Sequence, residues 1–262
     1  MNINLSGKTA IVCGSTQGIG KAVAVELASL DANVILMARN EKSLNAVLGE
    51  LDRRKGQKHQ FICADFSRPE EVKARITDFV KNNPPVHILV NNTGGPPGGA
   101  IAEAETEAFE ETFSQHLICN HILAQAVLPG MKKENYGRII NIISTSVKQP
   151  LKNLGVSNTV RAAVANWAKT LSVEVAPFGI TVNNVLPGAT LTGRLNGLIE
   201  NRSKQTGRSV DVLRREMLAE IPAGRFGEPA EIARAVAFLA SPAAAYINGI
   251  NLPVDGGRTG SL

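Results

Sequence analysis

Three glycines near the start of the chain have the spacing of a phosphate-binding turn. Gly14, Gly18 and Gly20 follow an apolar run that ends at Val12, and residues 21–30 carry apolar side chains at helical spacing. A strand, a glycine turn and a helix in this order aim backbone N–H groups and the positive helix end at one point, which suits a phosphate. A Cβ would obstruct the turn and the close approach of the ligand. The spacing G-x-x-x-G-x-G predicts a phosphate site, with an ordinary strand-to-helix turn as the alternative.

The elements that must position this turn alternate between strands and helices along the chain. Strands are predicted at the apolar run ending near residue 12 and at 33–37, 59–63, 86–90, 137–143, 180–186 and 251–254. Helices are predicted at 21–30, 41–55, 69–81, 106–133 with a break near Pro129, 157–176 and 228–239. Alternating β and α elements predict a parallel sheet with helices on both faces, whose ligands bind at the strand carboxyl ends. We therefore expect one α/β domain spanning residues 1–262.

Composition narrows the class of protein further. The chain has 262 residues, of which 44% are hydrophobic, and this is enough for one sizeable core. It contains no apolar run of about 18 residues, so no membrane span is predicted. Three cysteines lie far apart and form no C-x-x-C pair, which indicates reduced thiols, no metal site and a cytoplasmic location. The net charge of +5 is mild and no dense Lys/Arg block occurs, so nucleic acid is not an expected partner.

Two residues at predicted strand ends could contact a dinucleotide, and one of them indicates which dinucleotide would bind. Arg39 follows the second strand, where an acidic residue would bind a ribose 2′-OH and an Arg accommodates a 2′-phosphate. We therefore predict NADP(H) rather than NAD(H); the alternative is that Arg39 is a solvated surface residue. Asp65 after the third strand could accept a hydrogen bond from the adenine amino group, or only cap the next helix.

These motifs together resemble the short-chain dehydrogenase/reductase family over essentially the full chain length. The matching segments are the glycine turn, Asp65, 91–94 (Asn-Asn-Thr-Gly, with Thr93 where the family usually has Ala), Pro187-Gly188 with Thr192, and 254–257 (Val-Asp-Gly-Gly). Residues 221–233 are similar to the corresponding segment of bacterial 3-oxoacyl-carrier-protein reductases. The resemblance implies a Rossmann fold with a seven-stranded parallel sheet, a nicotinamide cofactor, and self-association as a homotetramer or homodimer.

The resemblance also implies a set of cofactor-binding residues. Asn92, Thr93 and Gly94 would line the ribose side of the cofactor, and Thr190 and Thr192 would contact its carboxamide. The complete predicted set is Gly14, Ser15, Thr16, Gln17, Gly18, Ile19, Gly20, Arg39, Asn40, Asp65, Phe66, Asn92, Thr93, Gly94, Arg161, Pro187, Gly188, Thr190 and Thr192.

The chain departs from the family where the reaction takes place. Family members carry a Ser, then Tyr-x-x-x-Lys, and an Asn on the preceding long helix. Ser144 matches the Ser, but Ser157 stands at the Tyr position, Arg161 at the Lys position and His116 at the Asn position. No Tyr lies between residues 136 and 246 and no Lys between 153 and 168, so no shift of alignment restores the pair. The usual acid, a Tyr whose pKa of about 10 is lowered by a neighbouring ammonium, is absent.

Four residues are therefore the catalytic candidates. Ser144 would orient the substrate oxygen, and Arg161 would hold the nicotinamide ribose while keeping its charge. Ser157 is a much weaker acid than Tyr, so it would relay a proton from water or hold the substrate oxygen. His116 could be the acid, since imidazole titrates near neutral pH, or a hydrogen-bonded core residue.

Residues 189–227 are predicted to be irregular helix and to form a lid over the substrate. Seven Lys and Arg residues against four Asp and Glu give residues 189–226 a net charge of +3. A substrate with a carboxylate or phosphate would be attracted to it; the alternative is a solvated helical surface.

The sequence thus predicts an NADP(H)-dependent oxidoreductase that moves hydride between nicotinamide and a small carbonyl or alcohol substrate, acidic or 3-oxoacyl-like, with a non-standard proton donor. A cofactor-binding protein with little dehydrogenase activity, serving as a sensor or inactive subunit, is the alternative. Dehydratase or isomerase chemistry on the same fold is a third interpretation.

Overall fold

A computed structural model describes residues 1–261 and contains one seven-stranded parallel sheet. Its strand order is β3-β2-β1-β4-β5-β6-β7. Strands β2 and β3 are therefore added on one side of β1 and strands β4 to β7 on the other. The strands are Thr9–Cys13 (β1), Asn33–Ala38 (β2), Gln60–Cys63 (β3), Ile88–Asn91 (β4), Gly137–Ile142 (β5), Ile180–Pro187 (β6) and Asn251–Val254 (β7). The predicted α/β fold is confirmed, with a switch point of the kind at which such sheets bind ligands.

The described residues contain nine α-helices, of which six pack against the two faces of this sheet. The nine are Gly18–Ser29 (α1), Glu41–Glu50 (α2), Pro69–Asn82 (α3), Thr106–Phe113 (α4), Cys119–Lys133 (α5), Gly155–Val175 (α6), Gly193–Thr206 (α7), Val210–Ala219 (α8) and Pro229–Ala240 (α9). Alternate residues of β1 enter opposite cores, with Ala10 and Val12 beside α1 and α9, and Ile11 and Cys13 beside α3 and α5. Every β1 residue is buried, as a central parallel strand requires.

Two predicted helices differ from the structure. The predicted helix 41–55 ends at Glu50, because Leu51 is extended and residues 53–56 turn at Gly56, whose φ is +79°. The predicted helix 106–133 is interrupted by a π-helical turn at Ser114–Ile118, whereas Pro129 lies inside α5 without breaking it. The π-helical turn carries His116 and buries it.

An asparagine ladder fixes the register of the four strands β4 to β7. Asn91, Asn141, Asn184 and Asn251 are register partners on neighbouring strands. The Nδ2 atoms of the first three donate to the Oδ1 of the next asparagine, at 2.9, 2.9 and 2.8 Å. A slip of one residue would turn these amides to the other face of the sheet and leave them without partners. The ladder therefore fixes where β5 and β6 end, and with them the loops that carry the candidate site.

Two further findings concern the chain as a whole. No helix within residues 1–261 is long and apolar enough to cross a membrane. All three cysteines are free thiols.

Candidate active site

The turn after β1 has a geometry that only glycine allows. Gly14 and Gly18 have φ values of +59° and +55°. A Cβ on Gly20 would lie 2.2 Å from the carbonyl oxygen of Gly14, and one on Gly14 would lie 2.5 Å from that of Asn92. Both distances are far below van der Waals contact, so the turn packs backbone against backbone and excludes side chains.

The first turn of α1 is open to an anion. Gln17 at its N-cap is extended and provides no side-chain cap, and the first turn contains no acidic residue. Backbone N–H groups there have no intrahelical partner and lie at the positive end of the helix, so they fit a cofactor phosphate. Thr16 is half-buried and Ile19 packs against the core, while the fully buried Ser15 accepts a hydrogen bond from the Met37 N–H at 3.1 Å. Ser15 thus joins the turn to β2 through its side chain.

Asn92 and Thr192 bring two more loops against this turn. The Asn92 Nδ2 donates to the carbonyls of Cys13 and Gly14, at 3.2 and 3.4 Å. The Thr192 Cγ2 lies 3.3 Å from the point where Gly18 would carry a Cβ. The loops after β1, β4 and β6 therefore meet at one edge of the sheet.

The four residues predicted to bind the adenosine half of the cofactor make different contacts within the fold. Asn40 caps α2, since its Oδ1 accepts from the Ser43 N–H at 2.8 Å, and Phe66 packs against the core. Asp65 accepts from the Ser67 N–H at 2.9 Å; this bond and the nearby charge of Arg39 lower the pKa of its carboxyl group. Arg39 is exposed at the end of β2, where a 2′-phosphate would need it.

The loop after β6 is held by its own hydroxyl groups. Gly188 lies against Asp255, where a Cβ would come within 2.7 Å of the Asp255 Cα. Thr190 donates to the Gly188 carbonyl at 3.1 Å, and Thr192 donates to the Thr190 carbonyl at 3.3 Å. Thr192 also accepts from the Leu195 N–H and so caps α7. Pro187 ends β6 opposite Val254 of β7.

His116 uses both ring nitrogens within the fold. Its Nε2 lies 3.0 Å from the Gly94 carbonyl, which can only accept, so Nε2 carries the proton. Its Nδ1 therefore accepts from the Thr93 hydroxyl at 2.8 Å. Burial, together with the positive charges of Arg161 and Arg194, lowers the pKa of His116 to about 3. This geometry matches the hydrogen-bonded core histidine of the two interpretations, and a neutral imidazole is a poor acid at neutral pH.

Ser157 and Arg161 form one hydrogen-bonded unit on α6. They lie one turn apart, and the Arg161 Nε donates to the Ser157 Oγ at 3.3 Å. The Nη1 of Arg161 donates to the carbonyls of Ile142 and Ile143 at 3.2 and 3.0 Å, which ties α6 to the end of β5 directly before Ser144. The substituted Tyr and Lys positions and Ser144 are thus brought to one place.

Each serine has a hydroxyl proton left to donate. The Oγ of Ser144 accepts from the Ser146 N–H at 3.1 Å, as that of Ser157 accepts from Arg161. An acceptor atom placed between the two serines, such as a carbonyl oxygen, would satisfy both hydroxyl groups.

Residues 189–227 contain α7 and α8 with a small apolar core of their own. The chain enters and leaves this segment at a parallel bridge between Thr190 and Gly227. Its buried members are Leu195, Ile199, Leu213, Ile221 and Phe226. Arg194 at the start of α7 donates from Nη1 to the Gly95 carbonyl at 2.7 Å and from Nη2 to the Pro96 carbonyl, so α7 is fastened to the loop after β4.

Gly95 is a position that sequence reasoning missed. A Cβ there would lie 2.9 Å from the Nη2 of Arg194 and 3.3 Å from that of Arg161. The consecutive glycines 94 and 95 could have indicated a close contact at this loop. They could not indicate that the contact is with two guanidinium groups from distant helices.

A switch-point parallel sheet with a glycine turn, an open helix N-terminus and serine hydroxyls at its carboxyl edge is the construction of a dinucleotide-dependent enzyme. A family model described as enoyl-(acyl carrier protein) reductase matches residues 14–259. The chain belongs to the short-chain dehydrogenase/reductase family of oxidoreductases, as the sequence motifs predicted.

Three relatives illustrate the family around this chain. The 3-oxoacyl-[acyl-carrier-protein] reductase FabG of Vibrio cholerae is 38% identical over 258 residues, covering 97% of this chain and 98% of that protein. The NADPH-dependent reductase BacG of Bacillus subtilis is 30% identical over 259 residues, covering 98% and 100%. The structure of L-sorbose reductase from Gluconobacter frateurii, complexed with NADPH and L-sorbose, has a TM-score of 0.92 and 31% identity, with 100% of both chains covered.

Proposed function

We propose that this protein is an NADP(H)-dependent reductase of a small carbonyl compound, acting also on the corresponding alcohol in reverse. The observation that carries the proposal is the open first turn of α1 beside a glycine turn, at the sheet edge where Arg161 links Ser157 to the end of β5 directly before Ser144. Arg39 is exposed directly after β2, and residues 37–40 contain no carboxylate; both observations support the phosphorylated cofactor. Relatives named as NADPH-dependent or solved with NADPH support the same choice.

The cofactor, when bound, supplies or accepts the hydride at the substrate carbon. The hydroxyl groups of Ser144 and Ser157 donate hydrogen bonds to the substrate oxygen and so hold the carbonyl in place. The Nε of Arg161 donates a hydrogen bond to the Ser157 Oγ. The negative charge that develops on the substrate oxygen is therefore stabilised by a fixed cation that acts through Ser157.

The proton in reduction passes from the Ser157 hydroxyl to the substrate oxygen as the C–H bond forms. Ser157, whose transient negative charge faces the guanidinium of Arg161, then takes a proton from water. The hydroxide left behind takes up a proton from solvent, so each reduction consumes one solvent proton. His116 is a positioning residue in this scheme, because its protonated nitrogen is bound to Gly94 and its free nitrogen to Thr93. It holds the loop that would line the cofactor ribose.

Two further predictions belong to the same proposal. Residues 189–227 would serve as the substrate lid, since their only core is small and α7 is fastened over the loop after β4. Self-association would cover apolar side chains that are exposed on α4 and α6, such as Phe113 and Val173, and sedimentation analysis would measure it.

Mixing the pure protein with NADPH and a panel of keto acids, 3-ketoacyl thioesters and quinones tests the function through the absorbance of the reduced nicotinamide. We expect turnover with at least one class, and Ser144→Ala and Ser157→Ala should each lower kcat more than they change NADPH affinity. Tight NADPH binding without turnover across the panel would favour the alternative, a cofactor-binding sensor or inactive subunit.

A further inference from the structure

Two guanidinium groups converge on the backbone at Gly95. Arg161 reaches it from α6 and Arg194 from the first turn of α7, and both Nη2 atoms lie within 3.3 Å of the point where Gly95 would carry a Cβ. The missing side chain is what allows both planar groups to lie against the loop after β4. One of the two, Arg161, is bonded to Ser157 at the proposed reaction centre.

No carboxylate within residues 1–261 neutralises the charges of this pair. Across residues 1–261, neither guanidinium has a carboxylate in salt-bridge contact, whereas lid residues Arg208 and Arg225 are paired with Glu216 and Glu231. The contacts of Arg161 and Arg194 are with carbonyl oxygens and one serine hydroxyl, all of them uncharged.

Both groups stay cationic at neutral pH. Burial and the neighbouring charge of Arg194 lower the pKa of Arg161 to about 10, which is still well above neutrality. Like charges held together in a partly buried place repel one another, and an anion between them would remove that repulsion.

Unused donors point to the same anion. Nε and Nη1 of Arg161 are engaged, but no partner of its Nη2 exists among the described residues. Within residues 1–261, Arg194 gives one bond from each Nη atom and none from Nε. Planar guanidinium groups match a carboxylate through paired N–H donors, which a lysine cannot reproduce.

We propose that Arg161 and Arg194 bind a carboxylate of the substrate, so that the enzyme acts on short keto acids and their hydroxy acids. This rests on the proposed function. Nε and Nη2 lie on one edge of the Arg161 guanidinium. The Ser157 Oγ accepts a hydrogen bond from Nε, and the substrate carboxylate accepts one from Nη2. The carboxylate and the carbonyl that Ser157 holds are therefore separated by only a few bonds of the substrate. This geometry selects 2-oxo and 3-oxo acids over long-chain substrates with a distant charge.

Arg194→Gln is the variant that tests the pair, because it removes the charge and keeps a donor for the loop carbonyls. Arg202→Gln on the same helix is its matched control, since it removes the same lid charge at an exposed position away from the pair. Short-chain 2-oxo and 3-oxo acids, each beside its methyl ester, are compared in steady-state kinetics, and NADPH affinity is measured by fluorescence titration.

We expect the native protein to prefer the acid, and Arg194→Gln to lower kcat/KM for the acid roughly 10- to 100-fold, the loss of one charge-assisted interaction. The ester and the NADPH dissociation constant should change less than about twofold, and Arg202→Gln should behave as the native protein. Equal use of acid and ester by the native protein would overturn the proposal. So would a variant that loses NADPH affinity and keeps its preference for the acid, because the pair would then bind a cofactor phosphate.

Calorimetric titration of the NADPH-saturated protein with the same acids separates this proposal from the proposed function. Acid binding that Arg194→Gln abolishes, without turnover of any compound, would leave the carboxylate site standing and refute the reductase. Absence of both binding and turnover for every acid would refute the carboxylate site.

Discussion

His116 should make the protein less stable as the pH falls, and the size of the effect follows from its environment. Its pKa is about 3 in the folded protein and about 6.5 in an unfolded chain. Because the folded-state pKa is depressed, the unfolded state binds more protons below pH 6.5, so stability is lost as the pH falls from about 6.5 towards 3. Between pH 7.5 and 5 this single group should remove about 2 kcal/mol from the free energy of unfolding.

The perturbation that isolates this contribution is His116→Asn. An Asn amide does not titrate, and its Oδ1 and Nδ2 can take over the bonds to Thr93 and Gly94. Arg161 and Arg194, the charged neighbours that shift His116, stay cationic over this pH range. Buried His59 and His87 also have lowered pKa values, but they are present in both proteins and their effects cancel in the comparison.

Urea denaturation of both proteins at pH 7.5 and at pH 5 measures the difference. The native protein should lose about 2 kcal/mol more than His116→Asn between the two pH values. Equal losses, within about 0.5 kcal/mol, would refute the reasoning, because they would mean that His116 titrates near its unfolded pKa. A histidine of that kind would again be a candidate for the proton donor.

Three further predictions concern the sheet and the cofactor. Asn141→Ala should lower the free energy of unfolding by about 2–5 kcal/mol in denaturant titrations, because it orphans two buried amides, whereas Asn251→Ala at the exposed ladder end should cost about 1. Gly20→Ala should abolish NADPH binding in fluorescence titration because its Cβ meets a carbonyl at 2.2 Å, while Gly49→Ala, with open space around it, should bind normally. Arg39→Asp should lower the ratio of NADPH to NADH affinity by roughly 10- to 100-fold, the loss of a charge-assisted contact.

Periodicity was sufficient to predict an α/β fold with a parallel sheet, because each strand and helix buries a face that its own residues define. The seven-stranded Rossmann form was implied by the family resemblance. The ends of some helices were less predictable, because the residues within the helix do not determine where it stops. Residues 51–55 are compatible with continued helix, but Leu51 is extended and residues 53–56 form a turn that ends at Gly56. The π-helical turn at Ser114–Ile118 likewise has no periodic signature in the sequence.

The sequence assigned positions to the candidate site but not its electrostatics. Ser144, Ser157 and Arg161 were assigned by counting along the family motif, and Arg161 joins Ser157 on α6 to the end of β5 in the structure. The protonation state of His116 could not be assigned in this way, since it depends on a carbonyl 22 residues earlier and on cations from two other helices. The meeting of Arg161 and Arg194 at Gly95 depends in the same way on contacts between elements far apart in sequence.

The four residues that depart from the family pattern form two pairs, and the two members of each pair contact each other. Thr93 stands where the family usually has Ala, and its hydroxyl donates to His116, which stands where the family has Asn. Ser157 and Arg161, at the Tyr and Lys positions, are joined by a hydrogen bond. An Ala at 93 would leave the His116 Nδ1 without this donor, and a Lys at 161 would lack the planar Nε and Nη2 edge. Each pair is therefore chemically self-consistent, and we regard the altered site as a working arrangement of its own, in which a guanidinium beside a serine replaces an ammonium beside a tyrosine.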